Sequence, residues 1–457
     1  MNIILLSGGS GKRLWPLSND IRSKQFIKIF KKSAEADPIE YGTEDGNGYE
    51  SMVQRIYRQI LSVDPNATVT VATSKSQVSA IHNQLGENVG ISVEPCRRDT
   101  FAAIALATAY LHDCQGVGPD EAVVVCPVDP YVEDGYFQCM SDMCKVAQEG
   151  MAKLVLMGIE PTYPSEKYGY IKPTKNADGT ITYGFTEKPS EEKAREYIAD
   201  GALWNGGVFA YKLSYVLDKS KELLGTCDYR ELFENYDSLK KISFDYAVVE
   251  QEKSIDIVKY SGTWKDLGTW NTLTEAMEGA SIGDVRMNDM CSNVHAINEL
   301  GIPMLCMGLH DVVVSASAEG ILVSDKKQSS YIKPFVDEIK QPIKFAEKSW
   351  GSYRVLDVQK KSMTVFVTLN PGHKMNYHSH EKRDEIWNIV KGSGWTIVDG
   401  MEQEVKVGDV VTMASGCKHT IIAGLDGLQL VEVQLGSEIN VSDKKKYEMP
   451  LVSARDN

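Results

Sequence analysis

The stretch MNIILLSGGSGKRLWPLSNDIRSKQF, residues 1–26, decides the fold. The apolar run from Ile3 to Leu6 reads as a buried strand. It leads directly into Ser7-Gly8-Gly9-Ser10-Gly11-Lys12-Arg13, with three glycines in four positions. Glycines of this density let backbone N–H groups turn toward a ligand and keep side chains out of its way. Lys12 and Arg13 follow at once, and Lys24 comes shortly after. A strand that delivers its C-terminal end into a glycine-rich, cationic loop is built to cradle a polyphosphate. No Gly-Lys-Ser/Thr follows at P-loop spacing, and Gly9-Ser10-Gly11 lacks the third glycine of the dinucleotide fingerprint.

Outward from this loop, apolar runs at 68–72, 123–128 and 154–159 alternate with helical stretches at 99–112 and 190–200. That alternation predicts an α/β domain with a mostly parallel sheet over residues 1–280. Residues 31–50, rich in Glu, Asp, Gly and Lys, read as an exposed, mobile insertion. Over 281–345 the pattern shifts to short β-branched runs at 312–314, 321–323 and 331–332, which predicts a small β module. From 346 to 457 strands at 364–369, 385–390, 395–398, 405–411 and 428–434 predict an all-β barrel or sandwich. The tail after Ser437 reads as exposed.

The chain has 457 residues, enough for two or three domains, with 42% hydrophobic and 25% charged residues. A formal net charge of −14 argues against a nucleic-acid or anionic-membrane binder. Nine cysteines without CxxC pairing fit reduced thiols. No signal peptide and no apolar run near the ~18–20 residues of a membrane span is visible, so a cytoplasmic protein is expected.

Asp129 follows the apolar run 123–128, at the sheet edge where ligands bind in this class. Asp266 lies in Trp264-Lys265-Asp266-Leu267-Gly268-Thr269-Trp270. Taken singly, the first is equally a solvated aspartate before Pro130, and the second equally a turn within packed aromatics. Together the two carboxylates can bridge Mg²⁺ to a nucleoside triphosphate while an incoming phosphate attacks the α-phosphorus. Such chemistry needs positioning and charge compensation more than a protein nucleophile.

The opening loop, Lys24-Gln25-Phe26, and Glu94-Pro95 with Arg98 and Thr100 resemble the sugar-1-phosphate nucleotidyltransferases, and more narrowly the bacterial mannose-1-phosphate guanylyltransferases. Tyr168-Gly169-Tyr170-Ile171, Glu187-Lys188-Pro189, Leu203-Trp204-Asn205-Gly206-Gly207, Asp245-Tyr246-Ala247-Val248 and the 264–270 block follow in the family's order. The resemblance implies a Rossmann-like, GT-A-like domain that joins a nucleoside triphosphate, with GTP leading, to a hexose 1-phosphate, with mannose 1-phosphate leading. It implies nucleotide contacts from Ser7, Gly8, Gly9, Gly11, Lys12, Glu94, Arg98 and Thr100. Arg13 and Lys24 would hold phosphates, and Asp129 and Asp266 would bind Mg²⁺. Tyr168, Gly169, Glu187, Lys188, Asn205 and Asp245 would line the sugar phosphate site. Two departures stand out. The family's Gly-Arg-Asn-Thr-Ala-Pro is here Arg97-Arg98-Asp99-Thr100-Phe101-Ala102, which alters the donor pattern near the base. Its Asp-His is here Asp129-Pro130, which keeps the carboxylate.

Near the C-terminus, Gly372 precedes His378-Ser379-His380, Glu385 and Gly392, and residues 408–419 follow Gly-x5-Ala-x-Gly-x2-His to His419. On a strand, positions i and i+2 face the same way, so His378 and His380 can share a metal with Glu385 and His419. Three imidazoles and a carboxylate suit Zn²⁺, Fe²⁺, Mn²⁺ or Ni²⁺. Both blocks resemble cupin motifs, and the appended cupin of the guanylyltransferase family is often a mannose-6-phosphate isomerase. Against that family's Gln-x-His-His-His-Arg-Ala-Glu-His-Trp, residues 378–387 replace the first Gln by His378 and lose further histidines at Glu381, Lys382 and Ile386. No arginine follows in 437–447, while Lys374 and Arg383 remain as cations for a 6-phosphate. Three readings stay open: transfer alone, transfer plus isomerisation of fructose 6-phosphate and mannose 6-phosphate, or a cupin that only binds metal or assembles homo-oligomers.

Overall fold

The computed structural model describes residues 1–9, 12–32, 48–175, 181–440 and 443–450. Ser10 and Gly11 of the opening loop, and residues 33–47 of the expected insertion, lie outside the described residues. The insertion's flanks, Lys28–Lys31 and Tyr49–Ser51, pair antiparallel, and Glu50 is buried against Arg58 at 2.7 Å.

The first strand, Asn2–Ser7, is apolar on both faces because it is covered on both. It runs parallel to Thr68–Ser74 on one side and to Ala122–Pro127 on the other. Gly90–Glu94 extends the sheet in parallel beyond Thr68–Ser74. On the far side Leu203–Lys212 pairs antiparallel with Ala122–Pro127 and with Leu154–Ile159, which is itself parallel to Ile255–Tyr260. The sheet is therefore mostly parallel, and its order turns at the first strand. The chain leaves that strand toward Thr68–Ser74 and leaves its neighbour Ala122–Pro127 toward the opposite edge, which opens a crevice between their C-terminal ends. Gly8 and Gly9 sit at one lip and Asp129 at the other.

The helix Asp99–Asp113 is buried nearly all round, and its alanines allow close approach to the sheet and to Leu232 and Tyr236. The helix Met52–Val63 starts with a reciprocal cap in which Ser51 and Gln54 each accept the other's backbone N–H.

In the β module, Ser281–Ile282, His295–Asn298 and Val312–Ser317 stack in parallel, and Gly320–Asp325 closes a hairpin. The expected strand at 331–332 is instead the end of a 3₁₀ turn, Gln328–Tyr331, and the lead into the helix Lys333–Glu338. Pro334 supports that helix start because its missing N–H falls where no intrahelical partner exists.

The C-terminal sheet is antiparallel and closes on a core that includes Val365, Trp387, Ile389, Ile421 and Leu430. Two expected strands, 385–390 and 395–398, are one bent strand of 16 residues, Arg383–Val398. Its bend falls at Gly392, with φ +74° and its missing Cβ only 2.1 Å from the Gly427 carbonyl oxygen. Conversely, the expected strand 405–411 is broken between Met401–Lys406 and Val410–Met413, because Gly408 turns the chain at φ +94°. The tail is not simply exposed: Lys444–Lys446 returns to pair with His378–His380. All nine cysteines are free thiols. No described helix is long and apolar enough to cross a membrane.

Candidate functional site

At the crevice, Trp264–Asp266 pairs antiparallel with Pro130–Val132, and Asp266 opposes Pro130. That register sets Asp266 beside Asp129. Lys24, from the short 3₁₀ turn Lys24–Phe26, places Nζ 2.8 Å from Asp129 Oδ2 and 3.6 Å from Asp266 Oδ1. Burial opposes the charge on Lys24, yet the two carboxylates outweigh it and hold the ammonium above its ordinary range, while Arg13 pulls slightly the other way. Arg13 reaches the same place, with Nη1 3.5 Å from where a Cβ on Gly268 would stand. Two half-exposed carboxylates that converge on one cation have the donor chemistry for a divalent ion.

The loop is braced from beneath. Ser23 donates to the Gly9 carbonyl at 2.9 Å, Gln77 donates to Ser23 at 2.7 Å, and Gln25 donates to Ser7 at 3.0 Å. Gly8 and Gly9 are exposed, with open space where a Cβ would be. Lys12 forms an ion pair with Asp337 at 3.0 Å, and Arg97 is close enough to oppose its charge.

Glu94, Arg98 and Thr100 face the segment 236–244. Tyr236 donates to Glu94 at 2.7 Å, Arg98 bonds the Asp237 carbonyl, and the Phe244 N–H donates to the Thr100 hydroxyl at 2.8 Å. Burial raises the Glu94 carboxyl, partly countered by Tyr236. Asp99 has φ +68°, a conformation that Asp and Asn tolerate better than other side chains. The carboxylate at this departure from the family pattern thus keeps the turn, and its Oδ1 accepts the Thr100 N–H at 2.9 Å.

A second pocket gathers Gly169, Glu187, Lys188, Asn205 and Asp245. Asn205 donates through its backbone to the Gly169 carbonyl at 2.8 Å and through Nδ2 to Asp245 Oδ1 at 2.7 Å. Its Oδ1 accepts the Gly207 N–H at 3.1 Å. Lys188 Nζ lies 2.5 Å from Glu187 Oε1, which raises its pKa. A Cβ at 169 would sit 2.5 Å from Phe185 Cζ and 2.6 Å from Glu187 Oε2, so any side chain there displaces those two groups. Burial, with the Glu187 charge nearby, pushes the Asp245 carboxyl up to about 6. Tyr168 packs edge-on against Trp204 and Trp264, tying this pocket to the strand that carries Asp266. The indole N–H groups of Trp204 and Trp264 are buried without a partner among the described residues.

The C-terminal barrel holds a third cluster. His378, His380, Glu385 and His419 are buried, with ligand atoms all within 4.8 Å of one another. Each imidazole turns Nδ1 to a backbone carbonyl: His378 to Asn376 at 2.6 Å, His419 to Cys417 at 3.0 Å and His380 to Asp443 at 3.3 Å. A carbonyl only accepts, so each Nδ1 carries a proton; Nε2 of His378 keeps its lone pair for the centre, while Nε2 of His380 accepts from Arg383 at 3.0 Å. Burial, with Lys444 and His419 nearby, lowers His378 to about 3, and burial, with Arg383 and His419 nearby, lowers His380 to about 4. His419 Nε2 stands 3.1 Å from Glu385 Oε2, a contact that either a proton on the ring or a shared cation satisfies. Although burial opposes it, His419, His380 and Arg383 hold Glu385 below the usual carboxylate range. This buried group has the donors to hold a metal ion.

Arg383 is committed here, with Nε 2.9 Å from Glu385 and Nη2 3.0 Å from His380. Lys374 is exposed instead. Glu432 and Lys444 are not singled out by sequence spacing, because one lies inside an ordinary strand and the other inside a lysine run. Glu432 is buried, accepts the Trp387 indole N–H at 3.1 Å, and is raised by burial and by the Glu385 charge. Lys444 opposes His380 in register, and burial lowers it to about 8.

A family model described as nucleotidyl transferase matches residues 2–40 and 44–281, and one described as mannose-6-phosphate isomerase C-terminal matches 337–449. The chain is 29% identical to the xanthan biosynthesis protein XanB of Xanthomonas campestris pv. campestris, over 97% of each chain. It is 28% identical to a putative mannose-1-phosphate guanylyltransferase of Vibrio cholerae, over 97% of this chain and 99% of that one. A solved structure from Thermus thermophilus, described as mannose-1-phosphate geranyltransferase, is 25% identical with a TM-score of 0.59. The match covers 74% of this chain and 98% of the other.

Proposed function

Because this chain belongs to the nucleotidyl transferase family, carrying a mannose-6-phosphate isomerase C-terminal domain behind it, we propose that it condenses GTP with mannose 1-phosphate to give GDP-mannose and pyrophosphate. The observation that carries this reading is the convergence of Lys24, Asp129 and Asp266 at the strand switch point. The relatives named mannose-1-phosphate guanylyltransferase support the choice of sugar and base.

In this reading Gly8 and Gly9 offer backbone N–H groups to the triphosphate, with Ser7 buried beneath them and Lys12 at the rim. Glu94, Arg98 and Thr100 shape the base side. Glu187, Asn205 and Asp245 accept and donate to sugar hydroxyls, Gly169 lets the ring approach the backbone, and Tyr168 walls the pocket. Lys188 steers the sugar phosphate so that its oxygen approaches the α-phosphorus opposite the departing pyrophosphate, and Arg13 holds the triphosphate. Asp129 and Asp266 would hold Mg²⁺, which when bound offsets charge on the phosphates. Lys24 neutralises the carboxylates and can turn its charge to the phosphates as they arrive. No proton has to move and no protein nucleophile is used.

A second reading rests on the barrel, where four buried donors lie within 4.8 Å of one another. His378, His380, Glu385 and His419 would hold a divalent transition metal such as Zn²⁺, which when bound polarises a sugar oxygen during exchange of fructose 6-phosphate and mannose 6-phosphate. The chain divides, in this account, into a transferase unit at 1–280, a β module at 281–345 and a cupin at 346–457, acting in the cytoplasm.

A panel of nucleoside triphosphates against hexose 1-phosphates, read by pyrophosphate release, tests the main reading. The highest kcat/KM is expected for GTP with mannose 1-phosphate. Release with no pair would refute it, and a better pair would reassign base or sugar. Conversion of fructose 6-phosphate that is lost in His380→Ala supports the second reading, and bound metal without conversion removes it.

A further inference from the structure

We propose that Glu319 of the β module is a positioning residue for nucleotidyl transfer, joining the segment between Arg13 and Lys24 to the first strand of the barrel. This inference rests on the transfer reading above. Glu319 is 6% exposed and lies in the turn between Val312–Ser317 and Gly320–Asp325. One of its oxygens, Oε1, takes three donors from two distant parts of the chain: Asn19 Nδ2 at 2.9 Å, the Lys344 N–H at 2.9 Å and the Phe345 N–H at 3.1 Å. Asn19 completes the junction. Its Oδ1 accepts the Ile21 and Arg22 N–H groups at 2.9 and 2.7 Å, and its Nδ2 also reaches the Phe345 carbonyl at 2.9 Å.

The rest of the segment is clamped by the same module. Arg22 makes a two-pronged pair with Glu299 at 2.8 and 2.9 Å, and Ser317 donates to the Pro16 carbonyl at 2.6 Å. A Cβ on Gly320 would stand 2.5 Å from the Trp15 ring, so the turn lies directly on that indole. Residues 15–22 have Arg13 just ahead of them and Lys24 just behind, and Ser23 bonds the Gly9 carbonyl. Glu319 touches no reacting group, but the segment it holds sets where both cations stand. A buried carboxylate with three donors on one oxygen is costly to replace, because its loss strands all three. From Phe345 the chain enters the strand Phe345–Lys348, which pairs with Gly351–Val358 of the barrel. The loop at the transfer site and the start of the barrel therefore share one anchor.

The sugar pocket stands on other elements, at 168–169, 187–188, 205 and 245. This predicts a separation of kinetic constants that general destabilisation would not give. Full-length Glu319→Ala is expected to lower kcat for pyrophosphate release at least about tenfold, with KM for mannose 1-phosphate little changed. Deuterium exchange should quicken selectively across residues 15–26. Glu319→Gln keeps an oxygen that accepts from the same three donors, and is expected to restore both readouts. Unchanged kcat in Glu319→Ala, or kcat and KM worsening together with faster exchange throughout the chain, would overturn the proposal. If the unaltered chain releases no pyrophosphate, the transfer reading falls on its own. Exchange then decides the anchor: selective quickening at 15–26 upholds it, and none overturns it.

Discussion

Lys24 reaches Asp129 at 2.8 Å across the mouth of the sheet, joining the end of the glycine-loop segment to the carboxylate that closes the strand Ala122–Pro127. Asp266 lies on the same ammonium at 3.6 Å. Removing a preorganised cation from a centre that handles phosphates typically costs two to three powers of ten in rate. Lys24→Ala should therefore lower kcat about 10²–10³-fold, measured by initial rates of pyrophosphate release. Lys24→Arg should not restore it, because a planar fork cannot replace a compact ammonium between two carboxylates.

Gly169 offers a steric test of the sugar pocket. A methyl group there meets Glu187 Oε2 at 2.6 Å and Phe185 at 2.5 Å, so Glu187 must move. Gly169→Ala should raise KM for the sugar 1-phosphate by about tenfold, the scale of ~1–2 kcal/mol of lost contact, and leave KM for the triphosphate unchanged. Substrate-dependence curves for the two substrates separate these effects.

Asp245 carries a pH signature. Its folded pKa, about 6, lies above the ordinary aspartate value of 3.8, chiefly because burial penalises the charge. Between those values the folded chain binds more protons than the unfolded one, so the group's contribution to stability is present below about 4 and is lost as pH rises through 6. Asp245→Asn should stabilise the transferase half at about pH 7.5 by on the order of 1–2 kcal/mol, allowing for partial solvent screening. The gain should vanish near pH ~4, and denaturant unfolding at the two pH values measures it.

The legible parts of the chain were those in which local chemistry and fold agree. The apolar run at 3–6 predicted the strand Asn2–Ser7, and 123–128 predicted the strand before Asp129, whereas the cationic end of the expected loop, Lys12–Leu14, is a 3₁₀ turn. Hydrophobic alternation was less informative where glycine bends a strand without ending it, as at Gly392, or breaks one, as at Gly408. The run at 331–332 read as a strand, but Pro334 and the 3₁₀ turn before it make a helix start. Strand periodicity aims His378 and His380 the same way, the motif spacing adds Glu385 and His419, and the fold brings the four within 4.8 Å. Glu319 and Glu432 were not, because their meaning comes from partners hundreds or tens of residues away. Lys444 was hidden in a run that reads as a solvated tail, although its strand pairs beside His380.

The barrel should bind about one equivalent of a divalent transition metal. Elemental analysis of the purified chain measures this, and His419→Ala should lose the metal. Chelation should lower the barrel's unfolding temperature, since a metal at about 100 times its Kd contributes about 2.7 kcal/mol. Full occupancy in His419→Ala would show that the four donors are not the site.

The most direct test of the central claim is the Mg²⁺ dependence of pyrophosphate release by the unaltered chain and by Asp266→Asn, with GTP and mannose 1-phosphate. The account predicts saturable activation by Mg²⁺ in the unaltered chain, abolished by chelator, and a fall in kcat of about 10²-fold or more in Asp266→Asn that excess Mg²⁺ does not repair. Release that proceeds equally without Mg²⁺, or at full rate in Asp266→Asn, would contradict it.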